Sequence, residues 1–198
     1  MKVRIARVLN STVAEGPGVR TAVWFQGCTI RCRGCVNPHL FRADGGALVD
    51  SSDIVASAVA AGDEGLTFIG GEPFDQAPAA AALARVASEQ GLGVICFTGY
   101  EYETLVARSA DARSLIEHID LLVDGPYIAD RAERSRPLVG STNQRFIHLT
   151  ERYRTSIEST RNRIEVRLAI TGQVDVAGFT DAPGVASLQR TLGRRRRP

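Results

Sequence analysis

Residues 28–35 have the sequence Cys-Thr-Ile-Arg-Cys-Arg-Gly-Cys, which spaces three cysteines as C-x3-C-x2-C. This spacing lets one loop wrap three thiolates around a single metal centre. A complete protein cage for a [4Fe–4S] cluster uses four cysteines, so three leave one iron without a protein ligand. An open coordination position distinguishes a catalytic metal site from a closed structural one. Cys28, Cys32 and Cys35 are therefore candidate ligands of an iron–sulfur cluster.

A structural zinc site is the alternative interpretation of the same cysteines. His39 extends the spacing to C-x3-C-x2-C-x3-H, a set of four ligands that suits tetrahedral zinc. The cysteine stretch alone leaves both metals open, and the motifs further along the chain favour the cluster. Cys96 lies in an apolar strand pattern, where we expect a buried free thiol and not a fourth ligand.

The composition is that of a soluble globular protein, with 44% hydrophobic and 23% charged residues among 198. We expect one domain over residues 1–193 and a disordered basic tail over 194–198. The net charge of +2 makes nucleic acid an unlikely partner, and no apolar stretch is long enough to span a bilayer. Without an export signal, the clustered cysteines predict a cytoplasmic protein.

Strand and helix patterns alternate along the first two thirds of the chain. Apolar strand patterns are centred on residues 3–9, 19–26, 66–69, 92–97 and 119–123, with helical spacing between the later ones. Such alternation predicts an α/β fold with a parallel sheet and right-handed crossovers. A full eight-unit barrel needs about 250 residues, so this chain has room for a partial (β/α) barrel.

After residue 127 the pattern changes. Residues 129–141 are charged and contain a proline, which predicts a long surface loop. Residues 164–168 alternate cleanly between apolar and charged side chains, a turn follows at Thr171-Gly172, and residues 174–176 return. This arrangement predicts a C-terminal β-hairpin.

Three further motifs each come directly after a predicted strand. They are Gly-Gly-Glu-Pro at residues 70–73, Thr-Gly-Tyr at 98–100 and Asp-Gly-Pro-Tyr at 124–127. Parallel α/β folds carry their active sites at the carboxyl ends of the strands, where the cysteine loop is also expected. Paired glycines let a backbone approach a ligand closely.

With these motifs the sequence resembles the radical S-adenosylmethionine (SAM) enzymes, which bind a [4Fe–4S] cluster through C-x3-C-x2-C. The resemblance implies a partial barrel of the radical SAM type. It implies that SAM chelates the unique iron and is cleaved by one electron to methionine and a 5′-deoxyadenosyl radical. It assigns the cluster to Cys28, Cys32 and Cys35, the methionine end of SAM to Gly70, Gly71 and Glu72, and the adenosyl part to Gly34 and Val36 beside Cys35. Many family members carry an aromatic residue where Gly34 stands, which implies weaker packing of the adenine.

A smaller group within that family shares more of the sequence. The shared motifs, in order, lie at residues 15–20, 26–28, 32–38, 98–100, 124–127 and 140–145. They resemble the activating proteins of anaerobic (class III) ribonucleotide reductases, over roughly residues 10–150. This likeness implies that the radical is transferred to a glycine of a partner glycyl radical enzyme, the large reductase subunit. It also implies a flavodoxin- or ferredoxin-type electron donor and a place for Asn143 in the SAM pocket.

Two other functions stay open at this point. A radical SAM enzyme acting directly on a small molecule or peptide has the same cofactor motifs, and residues 129–141 and the tail offer it a lid. A non-catalytic zinc or iron–sulfur module leaves the motifs at the strand ends unexplained. No catalytic side chain is identified by the sequence. Tyr100, Tyr127 and Asp124 follow strands near the expected pocket, where packing and SAM contact are both open.

Overall fold

The computed structural model describes residues 1–180 and 182–192. The strands are β1 (Lys2–Thr12), β2 (Arg20–Phe25), β3 (Ala47–Asp50), β4 (Gly65–Gly70), β5 (Gly93–Phe97), β6 (Leu121–Asp124), β7 (Arg145–His148), β8 (Ile164–Leu168) and β9 (Val174–Gly178). The α-helices are α1 (Ser51–Ala60), α2 (Ala77–Glu89), α3 (Tyr102–Arg108), α4 (Ala110–Ile116), α5 (Ser156–Ser159) and α6 (Ala182–Leu192). The expected arginine tail at 194–198 lies outside the described residues.

Seven strands form one open sheet in the order β3-β1-β2-β4-β5-β6-β7. The four central strands, β2, β4, β5 and β6, run parallel to one another. β1, β3 and β7 pair antiparallel at the flanks. The sheet therefore confirms the α/β class and the partial barrel with parallel central strands.

The two faces of the sheet are covered differently. Helices α1, α2 and α4 pack on one face and form the main core with Phe25, Leu66 and Phe68. On the other face Trp24 packs in a smaller cluster with Leu40 and Ala177, which come from loops and from β9. Ile157 of the short helix α5 belongs to a further cluster on this face, with Leu121 and Val123, so the face is covered by loops, the hairpin and one short helix. None of the helices in the described part of the chain is long and apolar enough to cross a bilayer.

The segment 129–141 is less of a surface loop than its composition predicts. Leu138 and Val139 are buried and pack with Ile95 and Val123 of the central strands. Arg131 and Arg134 are exposed, whereas Glu133 and Arg136 pair with each other and are partly buried. The segment therefore packs against the sheet at its two apolar positions.

Arg20 is a fully buried cation at the amino end of β2. Burial lowers the pKa of its guanidinium, whose N–H groups are nevertheless well supplied with acceptors. They donate to Leu66 O (2.7 Å), Thr67 Oγ1 (2.8 Å), the Tyr153 hydroxyl (2.8 Å), Pro17 O (3.1 Å) and Gly93 O (3.2 Å). One side chain thus joins the starts of three parallel strands, at the end of the sheet opposite the cysteine loop.

Strands β8 and β9 form the predicted hairpin, which is docked in an unexpected orientation. Its charged face packs on β1: Arg7 donates to Val176 O and Thr12 to the Glu165 carboxylate, each at 2.8 Å. Its apolar face is exposed, with 41% of Val166 and 73% of Leu168 accessible. The alternation predicted from the sequence is present, but the charged side points inward because it bonds to β1.

Glu15 is buried where the hairpin meets the loop after β1. Its Oε1 accepts a hydrogen bond from Gly178 N–H at 2.6 Å, while its Oε2 has no hydrogen-bond partner within the described residues. Burial raises the pKa of the Glu15 carboxyl to about 7, partly offset by the Gly178 N–H and by Arg7, and nearby Glu165 raises it further. At neutral pH this carboxyl carries a charge at a cost in stability.

We expect Glu15→Gln to stabilise the fold in a pH-dependent way. An acid whose folded-state pKa is raised loses stability as pH rises from its ordinary pKa through the raised value. The variant cannot ionise, so its free energy of unfolding should gain roughly 2–3 kcal/mol relative to the parent between about pH 5 and about pH 8. Denaturant titrations measure this difference, with exposed Glu158→Gln as the control. A difference that does not change with pH contradicts the burial argument.

Candidate functional site

The cysteine loop leaves the carboxyl end of β2 and turns back on itself within eight residues. Its backbone is left-handed at three positions, Gly27 (φ 93°), Arg31 (φ 52°) and Gly34 (φ 81°). Glycine adopts this conformation freely, whereas Arg31 does so at a cost. The Cys35 N–H donates to Cys32 O at 3.2 Å, which closes the last turn. The sequence therefore folds locally into a short loop whose last turn closes between Cys32 and Cys35.

All three thiols of the loop are half-buried, and those of Cys28 and Cys35 receive backbone hydrogen bonds. Burial raises the pKa of Cys28, and the N–H groups of Arg31 and Ile30 oppose that shift. Burial also raises the pKa of Cys35, whose Sγ accepts the Asn37 N–H at 3.4 Å. N–H groups directed at sulfur are a feature of protein sites that hold iron–sulfur clusters. The chemistry of this donor set fits such a cluster.

The loop has to adjust when it takes up a metal. Among residues 1–180 and 182–192, no three His, Cys, Asp or Glu side chains stand close enough to hold a metal ion together. The three cysteines and His39, which the zinc interpretation requires as ligands, do not form such a group either. Because the cysteines share one short loop, bringing them together requires movement of that loop alone.

The Gly-Gly-Glu-Pro turn is in backbone contact with the start of the cysteine loop. Gly71 N–H donates to Phe25 O at 2.9 Å, and Glu72 N–H donates to Gly27 O at 2.8 Å. A Cβ atom on Gly71 would lie 2.2 Å from Gly27 O, closer than any real contact. Gly70 has φ 98°, and a Cβ there would meet Trp24 at 2.9 Å. Both glycines are thus required by packing, whatever ligand they also contact.

The Glu72 side chain is buried and links the turns that follow β4 and β5 by hydrogen bonds. Its Oε1 accepts hydrogen bonds from Phe74 N–H (3.0 Å) and the Thr98 hydroxyl (2.9 Å), and its Oε2 accepts Gly99 N–H (2.9 Å). Burial raises the pKa of this carboxyl to about 7, and the three hydrogen bonds lower it. Both oxygens are engaged within the chain, so Glu72 organises the turn. Its contact with SAM stays a prediction.

The motifs after β5 and β6 also contact the cysteine loop. Ile30 packs on Gly99, where an added Cβ would lie 2.6 Å from the Ile30 side chain. Gly34 faces Tyr127 and Ala129, with an added Cβ at 3.5 and 3.4 Å from them. The motifs that follow four neighbouring parallel strands therefore meet at one rim, as the sequence predicts. Tyr127 is a packing residue in this arrangement.

Asn143 carries an unsatisfied acceptor at the same rim. Its Nδ2 donates to Pro126 O at 2.8 Å, and its buried Oδ1 has no hydrogen-bond partner within the described residues. A buried carbonyl without a donor is costly unless a ligand or water supplies one. Nearby Asp124 is instead fully engaged: it accepts Tyr102 N–H at 2.8 Å and pairs with Arg145. The structure thus leaves Asn143, and not Asp124, available for a cofactor.

The residues that the sequence predicts beside the adenosyl part of SAM are more exposed. Val36 is 65% accessible, and Gly34 is exposed beside it. A cavity of about 460 Å³ opens next to Cys28 and is lined on its far side by Arg4, Arg42 and Gln76. It does not reach Gly34 or Asn143. Cys96 is completely buried, and burial raises the pKa of its thiol well above the usual value, as expected for a packing residue.

Sequence reasoning missed Asp75, which follows the Gly-Gly-Glu-Pro turn. It accepts hydrogen bonds from Thr29 in the cysteine loop and from the Tyr100 hydroxyl. An acidic residue in the first turn of a helix is commonly explained by the helix dipole, so its type and position gave no signal. The structure shows that Tyr100, left open by the sequence, contacts the cysteine loop both through this carboxylate and directly, with its hydroxyl 3.0 Å from Thr29 Oγ1.

We expect Gly71→Ala to displace the cysteine loop. The new methyl group overlaps a backbone oxygen that cannot move aside, so the free energy of unfolding should fall by about 2 kcal/mol or more. Iron uptake on anaerobic reconstitution should fall with it. Gly62→Ala is the matched control, because Gly62 has φ 72° but nothing within 4 Å of an added Cβ. Equal stability and equal iron content in the two variants contradict the packing argument.

Comparison with known proteins gives the family. A family model described as a 4Fe-4S single cluster domain matches residues 14–147, more than half of the chain. The anaerobic ribonucleoside-triphosphate reductase-activating protein of Pasteurella multocida is 30% identical over 154 residues, covering 70% of this chain and 93% of that protein. Its counterpart from Haemophilus influenzae is 29% identical over 149 residues, covering 69% and 91%.

Two further likenesses were found. The pyruvate formate-lyase-activating enzyme of Clostridium pasteurianum is 29% identical over 135 residues, which cover 64% of this chain and 54% of that enzyme. The solved structure of QueE from Escherichia coli has a TM-score of 0.41 and 16% identity, covering 50% of this chain and 53% of that one. The family model specifies an iron–sulfur cluster, which decides against the structural zinc interpretation. The chain therefore belongs to the radical SAM family of 4Fe–4S single-cluster proteins, whose cofactors are a [4Fe–4S] cluster and S-adenosylmethionine.

Proposed function

We propose that this protein is a radical SAM oxidoreductase that installs a glycyl radical on a partner enzyme, the large subunit of an anaerobic ribonucleotide reductase. The observation that carries the proposal is the match to activating proteins of that reductase over more than nine tenths of their own length. The meeting of the cysteine loop with three strand-end motifs at one rim supports it, because a SAM-cleaving site needs both cofactors at one place.

The chain's own residues have distinct parts in this proposal. Cys28, Cys32 and Cys35 hold the cluster and leave one iron free for SAM. When bound, the two cofactors supply the chemistry: one electron from the reduced cluster cleaves SAM to methionine and a 5′-deoxyadenosyl radical, which takes a hydrogen atom from the partner's glycine. The Gly70–Gly71 backbone receives the methionine end. The Asn143 Oδ1 atom accepts a hydrogen bond from SAM, which satisfies its unpaired acceptor.

Gly34, Cys35 and Val36 flank the adenosyl part in this arrangement. The exposure of Val36 leaves that side of the site open to solvent, and the sheet itself is open between its edge strands β3 and β7. A reactive radical has to be shielded from water and from side reactions, and closure of the site commonly does this. The glycine-bearing loop of the partner is the cover that we propose.

We further propose a flavodoxin- or ferredoxin-type electron donor and a cytoplasmic location. All four cysteines are free thiols. Free, half-buried thiols of a cluster site need a reducing environment to avoid pairing or oxidation. A low-potential redox protein of that compartment supplies the electron in this proposal.

One observation favours a second candidate function, direct action on a small molecule or peptide. The hairpin lies beyond residue 147, outside the family match. It packs through Ala177 on the face of the sheet opposite α1, α2 and α4, and Phe179 lies beside Phe97 at the end of β5 with ring centroids 5.5 Å apart. A segment of the chain itself therefore covers part of the face from which a substrate would be reached.

The cluster assignment predicts a sharp difference between the four cysteines. Cys28→Ala, Cys32→Ala or Cys35→Ala should each lose the cluster, because two thiolates do not hold it firmly. Cys96→Ala should retain about four irons and SAM cleavage, at a cost of about 1 kcal/mol or a little more in packing. Iron analysis and visible spectra after anaerobic reconstitution measure this. Loss of the cluster from folded Cys96→Ala contradicts the ligand assignment.

The activase proposal predicts where the radical appears. Reduced protein, SAM and the anaerobic ribonucleotide reductase subunit from the same genome should together give a glycyl doublet in electron paramagnetic resonance. Omitting any one of the three should abolish it, and Cys32→Ala protein serves as the control. SAM cleavage should be slow without the reductase and faster with it. No glycyl signal, together with SAM-dependent modification of a small molecule or peptide, would shift the assignment to the second candidate.

A further inference from the structure

The carboxylate of Asp75 collects donors from three parts of the rim. Asp75 lies in the 3-10 helix Pro73–Gln76, immediately after the Gly-Gly-Glu-Pro turn, and its side chain is 13% exposed. Its partners come from the cysteine loop, from the turn after β5 and from the last residue of α3. A nearly buried carboxylate with this many donors is held in one position, because each charge-assisted hydrogen bond is stronger than a neutral one.

On one side, Asp75 is bonded to the residue that follows the first cysteine. Its Oδ2 accepts the Thr29 N–H at 2.7 Å and the Thr29 hydroxyl at 2.8 Å. The peptide that carries the Thr29 N–H is the one that begins at Cys28. Its orientation is therefore set by Asp75, and with it the direction in which the Cys28 side chain leaves the backbone.

On the other side, Asp75 is bonded to Tyr100 and Arg108. The Tyr100 hydroxyl donates to Oδ1 at 2.9 Å, and Arg108 Nη2 lies 3.7 Å from the same oxygen. The Arg108 guanidinium also sits 4.4 Å from the centre of the Tyr100 ring. Tyr100 O in turn accepts the Gly125 N–H at 3.0 Å. Contacts thus run without a break from the cysteine loop to the turn after β6.

We propose that Asp75 is a positioning residue: it fixes the Cys28 end of the cysteine loop for the cluster, and Tyr100 and Arg108 hold its carboxylate in place. The loop has to move to gather its thiols, and the Asp75–Thr29 pair limits that movement to the residues beyond Thr29. The proposal rests on the cluster binding proposed above, but the contact lies within the chain itself and can be tested in protein prepared without metal.

The first measurement uses metal-free protein and the exchange rate of the Thr29 amide proton, resolved by nuclear magnetic resonance. Asp75→Asn removes the charged acceptor at nearly constant volume, and Thr29 exchange should rise about 10-fold or more. Tyr100→Phe keeps the carboxylate but removes one of its donors and the direct contact of the Tyr100 hydroxyl with Thr29 Oγ1, so a smaller rise is expected because the Thr29 N–H keeps its acceptor. Asp44→Asn is the control, because Asp44 is an exposed carboxylate near the loop that pairs with Arg42. In Asp44→Asn the Thr29 amide proton should exchange at the parent's rate.

The second measurement uses reconstituted protein. Asp75→Asn should lose iron faster and should change the electron paramagnetic resonance signal of the reduced cluster, whereas Asp44→Asn should not. Asp75→Glu should partly restore both the retention of iron and the parent's electron paramagnetic resonance signal. Circular dichroism spectra equal to the parent's exclude general unfolding, and Tyr100→Phe provides the test if Asp75→Asn does not fold.

Two results overturn the proposal. Parent-like Thr29 exchange in Asp75→Asn shows that the contact does not hold the loop. Faster exchange with an unchanged cluster signal and iron content shows that the contact exists but positions nothing. Failure of the parent protein itself to take up iron is a different outcome: it overturns the proposed function, and the positioning role with it, even if the exchange rates agree.

Discussion

The backbone contact between Gly27 and Gly71 is the constraint on which the site depends. The Gly71 and Glu72 N–H groups continue the β2–β4 ladder beyond the ends of both strands, onto Phe25 O and Gly27 O. The approach leaves no room for a side chain on Gly71. Because the chain is fixed at Gly27, the cysteine loop can leave only across the carboxyl ends of β4 and β5. The Gly-Gly pair thus holds the start of the cysteine loop by backbone contacts, independently of any ligand.

Buried polar groups then join the strand ends that this contact has brought together. Glu72 loses solvation, which raises the pKa of its carboxyl, but three donors from its own turn and from the turn after β5 satisfy it. Arg20 is also buried, and acceptors on β4 and β5 satisfy its guanidinium at the opposite end of the sheet. A buried charge with all its partners fixes one arrangement of the strands, because any other arrangement leaves it unpaired. The rim is therefore rigid, and Asn143 Oδ1 is its unsatisfied acceptor.

The sequence predicts the features that depend on local pattern, and it misses those that depend on distant partners. Apolar runs locate the parallel strands, and alternation locates the hairpin. The strand Ala47–Asp50 was not predicted, because it is short, of mixed polarity and defined by pairing with β1. The burial of Arg20 depends on Tyr153, far away in the chain, and the docked face of the hairpin depends on Arg7 and Thr12. Motif spacing predicts the cysteines as cluster ligands, whereas the proposed role of Asp75 requires the position of Thr29, which the sequence does not give.

The central claim is that this rim presents a four-iron cluster with one iron open to SAM. Mössbauer spectroscopy of protein reconstituted with ⁵⁷Fe, recorded with and without SAM, tests it directly. The account predicts that one iron of the four changes its environment when SAM is added, while the three bound to Cys28, Cys32 and Cys35 do not. A spectrum that SAM leaves unchanged, or one without a four-iron cluster, would contradict it.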